Sequence, residues 1–437
     1  MRARLLRLAR IEHFVPLAAA TLMLGVALSF TAPYLSLFGV EQAGMSPLRL
    51  GAFMTLVSAS GVFASTAVGR WSDRTGRNRA PLVASLVIAA LGYWALGFLR
   101  RYVELMLAGA LLLGPGAASL SQIFSFGRAV LRTGDPAHEE FASAALRTLL
   151  SVAWVFGPAV GALILAQGGF TGLFAFAAAS FAASAVIALR MTEKGSDGNE
   201  RRKSCDENAR DDEDEDEGAS AASEEGIAVT AVAAEPIVLH ADVTMSGRAT
   251  TYRVLVALTL IGLAANATMI LLPLYLVQAL HSTRLTVSAA LGAGALFEIP
   301  MMLWLGTMSS KLRKPRWLTA AAAVHAVYFV ALSVVSQPLA VVPLQILSAA
   351  VVAITSCLGM VYVQELMPGE TGVATALFFN ASRVGAILSG VLSGMIIGAF
   401  GYRAAFLLCA GLALCAFALL GFDTMLGKRR LRRAMKP

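Results

Sequence analysis

The sequence predicts an all-α membrane protein of twelve transmembrane helices, built as two similar six-helix halves related by pseudo-symmetry. Three observations lead there. The 437-residue chain is 57% hydrophobic and only 14% charged, whereas a soluble domain carries about 25% charged residues. Its surface must therefore face lipid. Twelve apolar segments are each long enough to cross roughly 30 Å of hydrocarbon, which takes about 20 residues. Several features also recur at a nearly constant offset between the two parts of the chain.

In order, the spans are 14–39, 48–69, 80–99, 103–127, 138–166, 170–190, 254–280, 285–309, 317–335, 338–363, 373–399 and 402–424. The N-terminal MRARLLRLARIEH resembles the basic start of a signal peptide. The apolar run from Phe14 to Gly39 is too long for that and lacks a clear cleavage site, so it is expected to be the first membrane helix. The spans fall into a half over 1–190 and a half over 251–424, with a basic tail over 425–437. Between the halves lies the stretch 191–250, which holds 16 acidic and 6 basic residues, including DDEDEDE at 211–217. It has no helix or strand periodicity and is expected to be a disordered cytoplasmic linker. A docking role for the acidic run is the other reading.

Outside the linker the chain holds 29 basic and 11 acidic residues. With a cytoplasmic N-terminus, 22 of those 29 fall in the tails and in the loops after helices two, four, six and eight. The opposite face holds five, namely Arg49, Arg100, Arg101, Arg284 and Arg403, while Arg147 and Arg383 lie inside helices. This is the positive-inside pattern, and it puts both termini in the cytoplasm. The net charge of +8 thus records topology and does not imply a nucleic-acid partner.

The repeat shows in three pairs. Gly69 and Gly306 lie 237 residues apart, Arg147 and Arg383 lie 236 apart, and Pro33 and Pro273 lie 240 apart. Secondary transporters built from such repeats hold their substrate between the halves near the bilayer midplane.

The loop after helix two reads Gly69-Arg-Trp-Ser-Asp73-Arg74-Thr-Gly76-Arg77-Asn-Arg79, which matches the G-x-x-x-D-R-x-G-R-x-R loop signature of the major facilitator transporters. Gly69 allows close approach of helices, and Asp73 can face the positive N-terminal end of a neighbouring helix. Gly76 permits a tight turn, and Arg74 and Arg77 hold the loop at the interface. A merely topogenic basic loop explains the arginines but not the Gly and Asp spacing. The second copy has Ser310 where the acid belongs, so the first copy is expected to carry more of the gating. Helix five contains Gly157-Pro158-Ala-Val-Gly161. It resembles part of the helix-five signature of major facilitator exporters, with Ala153 and Ala162 where that signature prefers glycine.

Glu298 is the only acid deep in a helix. A charge at mid-bilayer costs about 2.5–3.5 kcal/mol, so such a group is paired, protonated or functional. Its counterpart in the first half is Gly61; the fold does not require an acid there, which favours a functional, proton-coupling role over a structural ion pair or a neutral buried carboxyl. Arg383 lies at a similar depth, so the sequence makes it the expected partner of Glu298, with Asn380 on the same helical face. Arg147 and Arg383 occupy equivalent places, so a role in the shared scaffold stands beside substrate contact. Tyr34, Gln122, Trp154, Asn266 and Tyr362 supply donors, acceptors and ring faces suited to a polyhydroxylated ligand; Tyr275 and Gln345 are further candidates. For each of these, ordinary packing is the competing reading.

Other chemistry lacks a foundation. The five histidines are scattered, and there is no P-loop, so neither catalysis nor ATP-driven transport is expected. Cys205, Cys357, Cys409 and Cys415 have no metal-ligand or disulfide spacing. No cofactor or metal is expected.

FEIPMM at 297–302, VYVQELMPGETGVATALFFNASRVG at 361–385 and LRTLLSVAWVFGP at 146–158, with the opening APYLSLF and the loop signature, resemble the bacterial sugar efflux transporters of the major facilitator superfamily. The resemblance runs through all twelve helices; the long acidic linker is the main departure. It implies the major facilitator fold and proton-coupled export of sugars or analogues such as glucosides, galactosides or lactose-like compounds. The expected partners are then sugar, protons and the bilayer, with the protein acting as a monomer. A proton-driven multidrug exporter of the same fold is the alternative, although such proteins often carry deep first-half acids that this chain lacks. A non-transporting membrane sensor is a third reading.

Overall fold

The computed structural model describes residues 14–75, 77–130, 136–191, 245–308, 312–367 and 371–434. Among them, ten helices are long and apolar enough to cross a membrane. Two of these run through a glycine whose backbone is not helical: Gly169 (φ 61°, ψ −166°) and Gly401 (φ 79°, ψ −178°). That region is essentially reserved for glycine, so each residue turns the chain where a side chain would be strained. Divided there, the ten become twelve, in agreement with the sequence.

We number these α1 (Phe14–Glu41), α2 (Pro47–Thr75), α3 (Arg79–Leu96), α4 (Tyr102–Gly127), α5 (136–168) and α6 (170–189) in the first half. The second half holds α7 (Ala249–Ala279), α8 (Arg284–Met308), α9 (Lys314–Val334), α10 (Pro338–Leu366), α11 (371–400) and α12 (402–434). Helical backbone begins already at Met245, inside the stretch assigned to the linker. Its first turns are tied by Arg253, whose side chain donates to Ala249 O at 3.2 Å and to Thr250 Oγ1 at 3.2 Å. At the other end α12 continues to Ala434, beyond the expected stop at 424.

Helix is what an apolar solvent dictates, because every backbone N–H and C=O must be satisfied within the segment. The hydroxyls inside the spans follow the same rule. Thr21, Thr31, Thr268 and Thr355 donate to the carbonyl four residues back at 2.7–3.0 Å.

The repeat is written into the backbone. After α1, the N–H groups of Ala43 and Met45 donate to Phe38 O and Gly39 O, with Gly44 at φ 60°. After α7, Leu280 and Ser282 donate to Tyr275 O and Leu276 O, with His281 at φ 48°. Each residue of the second cap stands 237 places after its counterpart.

Apolar packing tells how the halves meet. At the end of the bundle bearing the α1–α2 turn, here the distal end, one core runs through both halves, from Phe30, Phe38, Phe53 and Phe174 to Leu271, Tyr275, Val287 and Phe406. Toward the proximal end, where α1 begins, the core splits in two. One part gathers Leu17, Leu24, Leu86, Phe126 and Phe181 of the first half. The other gathers Leu258, Leu318, Val351, Leu358 and Leu420 of the second. Among the described residues the halves therefore share a core distally and keep separate cores proximally, which leaves a cleft open toward the end where α1 begins.

Candidate functional site

Two helix pairs seal the distal end of the cleft: α2 against α11, and α8 against α5. On α11 the glycines Gly390, Gly394 and Gly398 recur every fourth residue. A Cβ on Gly51, Gly390 or Gly394 would overlap the facing backbone of the other half. Small residues at this spacing let membrane helices touch main chain to main chain. One turn deeper, Thr55 Oγ1 donates to Ile387 O at 2.8 Å and accepts from Val391 N–H at 2.9 Å. Its hydroxyl thus bridges a donor and an acceptor four residues apart on α11.

The second seam is made of side chains. Tyr34 Oη and Ser288 Oγ are hydrogen-bonded at 2.5 Å and both reach Pro158 O, at 3.0 and 2.7 Å, so one hydroxyl donates to the other and the second donates to the carbonyl. Gly161 makes room for this, since a Cβ there would strike Phe30 and the Tyr34 ring. At the rim, Arg284 Nη2 meets Glu41 Oε2 at 2.7 Å, and its guanidinium lies 5.6 Å from the Phe170 ring centre.

Below the seams lie the residues singled out from sequence. The α11 face that seats Ile387 and Val391 on Thr55 continues proximally through Arg383 and Asn380, at helical spacing. Both therefore turn toward the opposite half; Asn380 is exposed and Arg383 half-buried. Glu298 on α8 is half-buried and lies one turn after Gly294, which faces Gln345 of α10, and one turn before Met302, which faces the Cys357 thiol of α10. That thiol sits in the π-helical turn Thr355–Gly359 of α10 and contacts Met302 O at 3.9 Å. Single π-turns frequently accompany functional sites. No ion pair joins Glu298 to Arg383 among the described residues. Equal depth does not bring them together, because Glu298 is turned to α10 of its own half and Arg383 to the other half.

The remaining candidates divide. Asn266 on α7 is half-buried and spends its amide N–H on Gly262 O at 2.8 Å, leaving its oxygen as an acceptor. Trp154 is half-buried, one turn before Pro158, whose ring removes the N–H that the Trp154 carbonyl would otherwise accept. Gln122 is buried and its Oε1 has no protein partner; the same holds for Ser119 Oγ, three residues earlier on α4. Buried polar atoms of this kind call for a partner from outside the chain, water or ligand. Tyr362 is buried in α10. Tyr34 belongs to the closed distal seam and not to the open cleft. Tyr275 and Gln345 are committed to packing: Tyr275 donates to Val335 O at 2.6 Å, and Gln345 pairs with Tyr328. The Arg147 side chain lies outside the described residues.

In the loop after α2, Arg74 and Arg77 are exposed, and Ser72 Oγ donates toward Arg77 O at 3.2 Å and Asn78 Oδ1 at 2.9 Å. Arg79 donates to Leu189 O at the end of α6, a favourable place for a cation. A Cβ on Gly69 would meet nothing within 4 Å. The close approach expected at Gly69 is absent among the described residues. The Asp73 side chain and Gly76 lie outside the described residues.

Sequence reading missed Ser288, Thr55 and the Glu41–Arg284 pair. The four-residue glycine spacing on α11 was the available signal for one seam. Nothing local marked Ser288, whose role comes from a tyrosine 254 positions away.

Comparison with known proteins agrees with this architecture. The sequence pattern of the Major Facilitator Superfamily matches residues 17–389 and 254–435. The chain is 34% identical to a Deinococcus radiodurans protein named "Putative sugar efflux transporter", over 94% of this chain and 98% of that one. It is 27% identical to Sugar efflux transporter A of Escherichia coli (strain K12), over 91% and 92% of the two chains. Among solved structures, the nucleoside transporter NupG superposes with a TM-score of 0.70 at 13% identity, covering 94% of this chain and 98% of that one. A bacterial homologue of the human lysosomal transporter Spinster, solved in an inward-facing and occupied conformation, gives 0.71 at 11% identity, covering 94% and 96%.

Proposed function

The chain belongs to the major facilitator superfamily, within its sugar efflux transporters, and we propose that it exports sugars or glycosides across the bacterial inner membrane by alternating access coupled to proton entry. The observation that carries the substrate class is the 34% identity, spread over 94% of the chain, to a protein named as a sugar efflux transporter. The cleft chemistry supports it. Asn266, Asn380 and Gln122 offer amide groups, Arg383 a planar donor, and Trp154 a ring face, which together suit a neutral polyhydroxylated ligand. Proton coupling is supported by Glu298, a carboxyl in a membrane helix with no arginine or lysine paired to it among the described residues. A carboxyl that alternates between a dry and a wet environment can bind and release a proton.

We assign the distal end to the periplasm and the proximal end to the cytoplasm. The support is the basic asymmetry of 22 residues against five, read by the positive-inside rule. On that assignment the structure is the cytoplasm-facing state, ready to load substrate from inside. The transporter acts as a monomer, since each chain holds both halves of the cleft.

The test is transport into inverted membrane vesicles energised to pump protons inward, with a panel of labelled sugars and glycosides beside a panel of cationic drugs. Uptake of at least one sugar, collapsed by a protonophore, is expected. Drug uptake without sugar uptake would move the protein to the multidrug exporters of the same fold.

A further inference from the structure

We propose that the start of α9 binds one anionic phospholipid, its phosphate held between Arg313 and Arg316 and its glycerol region lying against the Trp304–Trp317 pair. This site is separate from the cleft and independent of the transport reading above.

Arg313 and Arg316 are exposed, and neither guanidinium has a partner among the described residues. Three residues apart at the start of a helix, they lie on one face. Lys314 between them is engaged elsewhere: it is buried and pairs with Glu365 at 2.6 Å. The exposed positions that follow along α9 are Ala320, Val327, Val330 and Val334, all apolar. That face therefore meets lipid. From Arg313 to Val334 the helix rises about 32 Å, close to the roughly 30 Å of hydrocarbon, so the two guanidiniums stand at headgroup level. Beside them, Trp304 of α8 is 48% exposed and meets Trp317 edge to face at 5.9 Å. Tryptophan collects at this level because its ring is apolar and its N–H polar.

The repeat shows that the fold does not require this patch. At the offset of 237, Trp304 corresponds to Ala67, Trp317 to Ala80, Arg313 to Gly76 and Arg316 to Arg79. Arg79 is engaged, since it donates to Leu189 O. Trp71, one turn beyond Ala67, meets no other ring among the described residues. The basic charge of a cytoplasmic loop explains the arginines of the second half but not the paired rings beside them. A planar guanidinium grips a phosphodiester through two parallel N–H···O bonds. Two of them at one level fit a single phosphate whose acyl chains run along the Val327–Val334 stripe. A free phosphate ion would use neither that stripe nor the tryptophans. A zwitterionic headgroup carries its own ammonium and gains less from the arginines.

The experiment uses the purified full chain in a neutral detergent and needs neither transport nor the assignment of faces. Native mass spectrometry follows the binding of phosphatidylglycerol, phosphatidylethanolamine and inorganic phosphate. One phosphatidylglycerol should bind at least about fivefold more tightly than phosphatidylethanolamine. Arg313→Gln and Arg316→Gln should each weaken phosphatidylglycerol about fivefold, the effect of one basic residue near an anionic headgroup, and shift phosphatidylethanolamine less than about twofold. Trp304→Leu should weaken both lipids alike, since the ring does not read the headgroup charge. Arg190→Gln removes an exposed arginine just after α6, outside the patch, and should leave phosphatidylglycerol within about twofold of its starting affinity. If one arginine variant fails to purify as a single species, the other is read alone. Equal affinity for the two lipids, unchanged phosphatidylglycerol binding in the arginine variants or in Trp304→Leu, or an equal loss in Arg190→Gln overturns the site. Displacement of phosphatidylglycerol by inorganic phosphate would make it a site for a free anion and overturns the lipid.

Discussion

Glu298 shows what a single side chain can be asked to do and what sequence can say about it. A charge in the membrane costs about 2.5–3.5 kcal/mol or more, and no ion pair offsets this one among the described residues. Its charge has to be carried by cleft water or by a bound proton. Glu298→Gln keeps the size and hydrogen bonding of the side chain but cannot exchange a proton. In proteoliposomes it is expected to hold downhill sugar exchange within about threefold while lowering pH-driven accumulation more than about tenfold. Retained accumulation against a sugar gradient would assign the proton to another group. Arg383→Ala should do the reverse, lowering flux with and without a pH gradient by a similar factor, because Arg383 faces the opposite half and not the acid. A selective loss of pH drive in that variant would restore the ion pair expected from sequence. The acid itself was legible as the only one of its kind in the membrane helices. Its neighbour was not, because depth along a helix follows from counting residues, whereas the direction a side chain faces follows from how that helix packs.

At the scale of helices, the repeat was legible in part. The offsets of Gly69 with Gly306 and Pro33 with Pro273 point to it, and the matched caps at Gly44 and His281 make it a backbone fact. The breaks at Gly169 and Gly401 fall where the apolar segments were separated, because only glycine adopts that backbone without strain. The contact between halves was not legible, since it joins α2 to α11 across more than three hundred residues. Gly390 gives a direct test. A leucine there would overlap the Gly51 backbone and Thr55, so Gly390→Leu should prevent closure at the distal end. Transport should fall by more than about tenfold at normal membrane insertion, as overpacking of a tight contact predicts. Gly411→Leu is the control, because a Cβ at Gly411 meets nothing within 4 Å. Equal loss in both variants would mean that leucine harms these helices regardless of the seam.

For the whole molecule, reporter fusions at the C-terminus and within 191–250 should both read cytoplasm; a periplasmic signal from either would sink the assignment of faces on which the export direction rests. By itself the sequence determined that the chain lives in lipid and that it crosses the membrane as two six-helix halves, and it proposes which way round they insert. Each of these depends on local quantities: the length of an apolar run, the position of a basic loop, the spacing of a repeat. Tertiary structure alone decided that the halves share one core at the distal end and keep two at the other. It also decided that Tyr34 seals the cleft instead of lining it, and that Glu298 turns to α10. Those outcomes depend on the rotation of each helix about its axis and on contacts between residues hundreds of positions apart, which periodicity along one chain does not encode.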